Sequence, residues 1–336
     1  MKIENIAPLQ RGFDLPSQNI VNGNIPIVYS NGILKFHNEF KCKAPGLVTG
    51  RSGTIGKFTF LEEGEYWPHN TSLWVTNFFK NDPKFIYYLY HTINIENFST
   101  GSGVPTLNRN DVHNKICSIP TTEEQQKISL FLSLLDERIQ TQKKIIEGLI
   151  TLKIQSRNKL FTQITKGNYE TFTVEEILKY EQPTKYIVSN TDYSSDTSLI
   201  PVLTANKAFI LGYTDEDWGI YNKGKCIVLD DFTMDLKYVD FPFKVKSSAI
   251  KLLTPKINVN LKFIFEYFSF LNLSSNEHKR HYISEIQPMF LNVPPIEIQN
   301  NISNLLSKLD AKVNLETELL TQYENQKKYL LKNLFV

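Results

Sequence analysis

Residues 119–161 read IPTTEEQQKISLFLSLLDERIQTQKKIIEGLITLKIQSRNKLF, and residues 293–335 read VPPIEIQNNISNLLSKLDAKVNLETELLTQYENQKKYLLKNLF. The two stretches align without a gap at an offset of 174, and 12 of their 43 positions are identical. A fainter echo precedes them, since Lys84-Phe85-Ile86 matches Lys262-Phe263-Ile264 at an offset of 178. The chain therefore consists of two similar halves, each a variable block followed by a repeated segment.

Both repeated segments have the alternating spacing of four and three residues between apolar positions that is typical of coiled-coil helices. Pro120 with Thr121 and Glu124 predicts a capped start for the first helix, and Pro294-Pro295 marks the corresponding boundary of the second. The apolar positions, which we predict to form the seam between the two helices, are Ile128, Leu132, Leu135, Ile139, Ile146, Leu149, Leu160, Ile302, Leu306, Leu309, Val313, Leu320, Tyr323, Leu330 and Leu334.

Polar residues interrupt both series at equivalent places, Gln142 and Glu316 in one case and Lys153 and Lys327 in the other. A helix of about 39 residues spans about 58 Å, which is longer than a small domain needs for its own core. We therefore expect a pair of helices that acts as a spacer. The alternative is that each helix packs only on its own neighbouring block.

The two variable blocks are rich in glycine, asparagine, aromatic and β-branched residues, and turn signals such as Asn22-Gly23 and Asn31-Gly32 divide them. This pattern predicts mixed domains of short strands, which end in helices at residues 82–92 and 260–270. The expected fold class is α+β, with two mixed α/β domains separated by two long coiled-coil helices and related by a pseudo-two-fold repeat. The predicted segments are residues 1–118, 119–161, 162–292 and 293–336.

Composition narrows the class of protein. The 336 residues include 37 Lys+Arg and 35 Asp+Glu, so a nucleic-acid-binding surface must be a local one. Cys42, Cys117 and Cys226 form no CxxC pair, which argues against a disulfide framework and a zinc knuckle. The first residues lack the apolar region of a signal peptide, and no apolar run approaches eighteen residues. We expect a cytoplasmic protein without a membrane segment.

No stretch of the sequence has the pattern of a catalytic site. Gly50 and Gly56 enclose five residues and Phe58 follows Lys57, which does not fit a phosphate loop. The Pro294-Pro295 pair lacks the neighbours of an amino-methyltransferase loop. His278 and His281 could share a metal, but no cysteine or carboxylate cluster joins them except Glu277 and Glu285. We therefore predict that the chain is not an enzyme and holds no metal.

Three short clusters mix cations with hydroxyl, glycine or aromatic residues, a combination that suits phosphate contact with close backbone approach. A solvated loop explains each cluster about equally well when it is taken singly. The clusters are residues 51–57, 244–248 and 278–282.

The order of a variable block, a helix opening with IPTTEEQQKI, a second variable block and a repeat of the helix resembles the specificity subunit of type I restriction-modification systems. Short phrases in both blocks are similar to phrases that recur in the two target-recognition domains of that family. These phrases are Gly50–Gly56, Gly101–Asn108, Asp230–Thr233, Phe241–Ser247 and His278–Arg280.

The resemblance implies a non-catalytic subunit that reads a bipartite double-stranded DNA target. Each variable block would be a target-recognition domain for one half-site, and the two long helices would form an antiparallel coiled coil that sets the spacing. Its implied partners are two methyltransferase subunits, which carry S-adenosylmethionine and methylate adenine at N6, and restriction subunits, which use ATP and Mg²⁺. The whole complex would be a type I site-specific deoxyribonuclease and DNA adenine methyltransferase, while this chain binds no cofactor. Two alternatives stay open, a specificity subunit for a fused methyltransferase-nuclease of the type IIB kind and a coiled-coil scaffold without a DNA role.

We expect two sets of loops to enter the major groove, where the edges of the base pairs can be distinguished. The candidates in the first domain are Arg51, Ser52, Thr54, Lys57, Ser102, Thr106, Asn108 and Arg109. The candidates in the second domain are Thr233, Lys244, Lys246, Ser247, His278, Lys279, Arg280 and His281.

Overall fold

The computed structural model describes residues 1–100, 104–204, 209–273 and 281–335. The chain divides into two compact units, and the division falls within both long helices. Unit 1 comprises Met1–Lys144 and Glu318–Val336, and unit 2 comprises Ile145–Thr317. Each unit thus contains one variable block, the first part of the helix that follows this block, and the last part of the helix from the other half.

Unit 1 is built from short strands. One sheet has the antiparallel order β1-β8-β5-β6, a second has the order β3-β2-β7-β4 with β2 and β7 parallel, and β9 pairs with β10. The strands are β1 (Leu9–Arg11), β2 (Ile25–Tyr29), β3 (Gly32–His37), β4 (Cys42–Lys43), β5 (Gly46–Gly50), β6 (Phe58–Leu61), β7 (Glu65–Pro68), β8 (Ser72–Val75), β9 (Ser99–Thr100) and β10 (Thr106–Leu107). The helices that begin in this unit are α1 (Pro83–Thr92), α2 (Arg109–His113) and α3 (Thr122–Lys166).

Unit 2 repeats this topology. The antiparallel order β12-β18-β15-β16 corresponds to β1-β8-β5-β6, and β13 lies between β14 and the parallel strand β17 as β2 lies between β3 and β7. Its elements are β11 (Glu170–Thr173), α4 (Val174–Ile177), β12 (Leu178–Glu181), β13 (Ile200–Leu203), β14 (Ile210–Thr214), β15 (Cys226–Asp230), β16 (Leu236–Val239), β17 (Lys244–Val245), β18 (Ile250–Pro255), α5 (Leu261–Leu271), β19 (Phe290–Val293) and α6 (Ile296–Leu334). The two variable blocks therefore share a fold that their loop sequences do not reveal.

The helices predicted at the ends of the blocks are confirmed as α1 and α5. Both begin at a side-chain cap, since Asp82 accepts a hydrogen bond from the Phe85 N–H (2.7 Å) and Asn260 accepts one from the Phe263 N–H (3.1 Å). Each helix packs its apolar face on the sheet of its unit, where Phe85 and Phe263 are buried.

The repeated segments form long helices that begin three residues later than their repeat boundaries. Glu124 accepts a hydrogen bond from the Thr121 N–H (2.9 Å), and the Thr121 hydroxyl accepts one from the Glu124 N–H (3.4 Å), so the predicted cap at the start of α3 is confirmed. The helix α3 has 45 residues and continues five residues past Phe161, while α6 has 39 residues.

The two helices pack against each other in antiparallel fashion within each unit. In unit 1 the Lys327 ammonium lies 2.5 Å from the Asp136 carboxylate, and Lys143 lies 2.9 Å from Glu324. In unit 2 Lys153 lies 2.5 Å from Asp310, which is the same ion pair displaced by the repeat offset in both partners. The prediction of paired antiparallel helices is confirmed, and the alternative in which each helix packs only on its own block is wrong.

Burial follows the predicted seam. Every seam position is buried or half-buried except Leu334, which is 37% exposed at the end of α6. The interrupting polar residues are also withdrawn from solvent, because Gln142 and Glu316 are buried and the two interrupting lysines form the ion pairs to Asp136 and Asp310. Polar groups at such positions favour one register of the helices over others.

Equivalent contacts in the two units attach the long helices to the variable blocks. The buried Gln125 side chain accepts a hydrogen bond from the Asp82 N–H (2.9 Å), and the buried Gln299 side chain accepts one from the Asn260 N–H (2.9 Å). The far ends of the helices contribute aromatic rings, since Phe335 stacks on Phe85 at 5.0 Å. In unit 2 the equivalent ring of Phe161 lies 5.1 Å from that of Phe263.

Candidate nucleic-acid interface

The first candidate loop leaves β5 and is held by its backbone. The Arg51 N–H donates to the Thr71 carbonyl (2.9 Å), and the Arg51 carbonyl accepts from the Leu107 N–H (2.8 Å). Gly50 permits this turn, because a Cβ atom there would lie 1.6 Å from the Thr54 carbonyl oxygen. The loop thus has a fixed path that does not depend on the Arg51 side chain.

Three arginines meet beside this loop. Arg51 lines an open cleft of about 410 Å³ together with Arg11, Thr106, Asn108 and Arg109. Asn108 caps α2 by accepting a hydrogen bond from the Asn110 N–H (3.1 Å), which places Arg109 on the first turn of that helix. Guanidinium groups bind both phosphates and the edge of guanine in bidentate fashion, so the cleft suits DNA.

Sequence reasoning missed Arg11. It lies 40 positions before Arg51 and reaches the cleft because β1 pairs with β8, where Arg11 is opposite Leu73. No spacing in the sequence signals this contact, since it depends on a strand pairing between distant segments.

The remaining candidates of the first domain are more dispersed. Ser52 is half-buried and bridges to Thr106 through the backbone. Thr54 and Lys57 are exposed, and the Lys57 ammonium donates to the Asn31 carbonyl (2.6 Å) in the turn between β2 and β3, away from the arginine cleft. Ser102 lies outside the described residues.

Unit 2 has the same backbone frame with different side chains. The Asp231 N–H donates to the Ala249 carbonyl (3.0 Å), and the Asp231 carbonyl accepts from the His281 N–H (3.1 Å). Asp231 therefore occupies the place that Arg51 has in unit 1. Its carboxylate is buried, accepts from the Tyr282 N–H (2.8 Å) and lies 3.4 Å from the Lys251 ammonium.

Three candidates of the second domain are exposed on neighbouring loops. Thr233 follows β15, where the Asp230 carboxylate accepts hydrogen bonds from the Phe232 N–H (2.8 Å) and the Thr233 N–H (3.1 Å). Lys246 and Ser247 lie in the turn between β17 and β18, and both are exposed. His278, Lys279 and Arg280 lie outside the described residues.

The structure corrects the DNA-binding role that the sequence predicts for Lys244 and His281. The Lys244 side chain is 0% exposed, and its ammonium lies 2.7 Å from the Glu216 carboxylate, donates to the Trp218 carbonyl (2.7 Å) and stands 3.9 Å from the centre of the Trp218 ring. His281 is buried, and its Nδ1 atom lies 2.8 Å from Glu285. Buried groups with such partners do not present charge to a DNA backbone, so we assign both residues to the support of the loops.

The pKa of Glu216 reflects the same pairing. The hydrogen bond with Lys244, followed by that with Ser189, lowers the pKa of this carboxyl from about 4.5 to about 2. The Glu216 carboxylate therefore stays ionised across the neutral range, and its contact with Lys244 keeps the loop before β15 attached to β17.

The residues that the structure describes contain neither a cluster of metal-ligating side chains nor a helix that could span a membrane. Within them, no three His, Cys, Asp or Glu side chains are grouped as metal ligands would be. None of the helices in these ranges combines the length and the apolar character needed to cross a bilayer.

The chain thus consists of two topologically equivalent α+β units, each with a loop edge of polar side chains and each attached to the same pair of helices. The family model that matches this chain carries the description "Type I restriction modification DNA specificity domain", and it covers residues 1–150 and 166–325. The chain belongs to this family of DNA-recognition proteins.

Individual relatives agree with this assignment. The chain is 42% identical over 166 residues to the Escherichia coli "Type I restriction enzyme EcoR124I/EcoR124II specificity subunit", a match that covers 46% of this chain and 40% of the relative. The fold is similar to that of the type I restriction-modification S subunit from M. genitalium, with a TM-score of 0.71, 16% identity and coverage of 100% of this chain and 95% of that one. Also similar is a chain from a structure described as the structural basis of complex assembly and conformational transition of the type I R-M system, with a TM-score of 0.55, 13% identity and coverage of 99% of this chain and 96% of that one.

Proposed function

We propose that the chain reads a bipartite DNA target, with one half-site for each unit. The observation that carries this proposal is the shared backbone frame around Arg51 and Asp231. The same turn is held by the same pair of backbone hydrogen bonds, while the side chains displayed by the two loop edges differ. One fold used twice with different side chains is what reading two different half-sites requires.

The long helices support the second part of the proposal, which concerns spacing. Both α3 and α6 run without interruption through the boundary between the units. A helix is a stiff element of fixed rise, so a continuous pair suits a ruler between two half-sites. Ion pairs at equivalent places, Asp136 with Lys327 and Asp310 with Lys153, hold one register of this pair.

The repeat also suggests the partners. Two equivalent helix segments present two equivalent surfaces, which fit two copies of one partner related by a two-fold axis. We propose that these partners are methyltransferase subunits, which would bind S-adenosylmethionine and methylate adenine at N6. Restriction subunits would join the same complex and use ATP and Mg²⁺, while this chain supplies DNA recognition without catalysis.

Coexpression with its methyltransferase subunit, followed by mapping of N6-methyladenine in the host DNA, tests the proposal. We expect a motif of two short defined parts separated by a spacer of fixed length. The substitution Lys246→Gln should change methylation only through the second part of the motif. A single continuous motif, or complexes that leave DNA unmethylated, would contradict the proposed function.

A further inference from the structure

Unit 1 contains a second basic cleft, of about 750 Å³, which the recognition loops do not line. Its walls are the C-terminal end of α1, the first part of α3 and the last part of α6. The residues from α6 recur at spacings of three and four, so they form one face of the helix. The lysines of the cleft are Lys143, Lys327, Lys328 and Lys332.

Only part of this positive charge is balanced within the protein. The carboxylates of the cleft, Asp136 and Glu324, are paired with Lys327 (2.5 Å) and Lys143 (2.9 Å). Lys328 and Lys332 make no ion pair or side-chain hydrogen bond with any other residue that the structure describes, and both are exposed. The cleft therefore has two cations available for an anionic ligand.

The packing of the two long helices accounts for only one of the four lysines in the cleft. Lys327 has an equivalent in Lys153, which forms the same ion pair in unit 2. The other three lysines have uncharged equivalents at the repeat offset of 174. These are Thr317 for Lys143, Ile154 for Lys328 and Asn158 for Lys332. Since α3 and α6 pack in unit 2 without these charges, packing of the helices does not account for the extra lysines of unit 1.

The cleft adjoins the first recognition loop. The ring of His91, on the wall formed by α1, lies 4.6 Å from the ring of Phe58 and 4.4 Å from that of Tyr87. Phe58 directly follows Lys57, the last residue of the candidate loop. The wall of the cleft that α1 forms is thus in ring contact with the residue that follows the candidate loop in the same unit.

We propose that this cleft binds backbone phosphates of the DNA beside the first half-site, without reading bases. This inference rests on the proposed recognition of DNA and adds a contact that is specific to unit 1. Ammonium groups on long flexible stems attract phosphates as point charges, whereas base reading in the major groove favours groups of defined geometry. Two neighbouring phosphates would take the places facing Lys328 and Lys332.

The experiment compares the wild-type complex with its methyltransferase subunits and the same complex carrying Lys328→Gln and Lys332→Gln. The control carries Lys144→Gln and Lys159→Gln, which removes two charges from exposed positions of α3 outside the cleft. The dissociation constant is measured between 50 and 200 mM salt, on DNA with and without the methylated motif.

Loss of two phosphate contacts should reduce the slope of log K against log salt by about 1.8, so the ratio of affinities between these salt concentrations falls by a factor of about 12. We expect this change on both DNAs in the cleft variant, with an unchanged methylated motif. An unchanged slope, a loss confined to motif DNA, or an equal loss in the control would overturn the inference. A wild-type complex that methylates no bipartite motif would instead reject the proposed function.

Discussion

Replacing Arg51 with alanine should relax the first half-site at one position and leave the second half-site unchanged. The loop should keep its path, because its hydrogen bonds to Thr71 and Leu107 involve only the backbone of residue 51. Arg51 is half-buried and has no ion pair within the described residues, so the folded protein loses little when the side chain is removed. The change in DNA affinity therefore measures the contact with DNA.

A bidentate contact of an arginine with guanine is worth about 1–3 kcal/mol, which corresponds to about a 5-fold to 160-fold loss for the correct base. The assay is the rate of methylation on a set of DNAs that differ at one position of the motif. Arg51→Lys separates two roles, because lysine keeps the charge but lacks the planar fork. If Arg51 reads a base, the lysine variant should lose part of the preference at that position, whereas it should keep the wild-type rates if Arg51 contacts only a phosphate. Equal rates for wild type and Arg51→Ala on every DNA of the set would refute the assignment.

Three further predictions concern the scaffold. Glu266 is 0% exposed and lies within 3.6 Å of Lys153, Arg157 and Lys262, so Glu266→Gln should lower the stability of unit 2 by about 3 kcal/mol in urea unfolding. Tyr88→Phe at the equivalent place in unit 1 loses the hydroxyl that contacts Asp136 (2.9 Å) and Ser133 (3.3 Å) and should cost about 1.5 kcal/mol, and equal effects would contradict this account. Because the pKa of Glu216 is lowered in the folded protein, the ionised carboxylate stabilises the fold above pH 4.5. This contribution is lost as the pH falls to about 2. The difference in melting temperature between wild type and Glu216→Gln should therefore be largest above pH 5 and shrink towards pH 2, whereas a constant difference would exclude this linkage. Four residues inserted after Lys144 and four after Thr317 should lengthen both helices by about 6 Å, which adds about two base pairs to the spacer of the methylated motif. A variant that methylates with the original spacer would rule out the ruler.

The long helices could be predicted from the sequence because their information is local and repeated. Heptad spacing places Leu132 and Leu306 in the seam, and the repeat offset aligns Asp136 with Asp310. The shared topology of the two blocks could not be predicted in this way. Strands of two to six residues pair across long stretches of sequence, as β2 does with β7, and no periodic pattern records these pairings.

The sequence predicts which loops carry basic residues, but it does not show which of these side chains are exposed to solvent. The cluster around Arg51 could be found because glycine and basic residues adjoin it in the sequence. Lys244 looks the same in the sequence, yet it is buried because Glu216 and Trp218, far from it along the chain, enclose its ammonium group. Arg11 was missed for the converse reason, since it has no basic neighbour in the sequence and joins the cleft through strand pairing.

The division of the helices between the units has a consequence for the order of events during synthesis. Unit 2 is one continuous segment, so all of its residues have emerged from the ribosome once Thr317 is free. Unit 1 begins with Met1 but needs residues after Glu318, including Lys327 for its ion pair and Phe335 for its aromatic stack. The domain that is translated first is thus the last to be completed. Until the last part of α6 is synthesised, Phe85 and the start of α3 lack the helix that covers them. The nascent chain is therefore most vulnerable to aggregation in its N-terminal part.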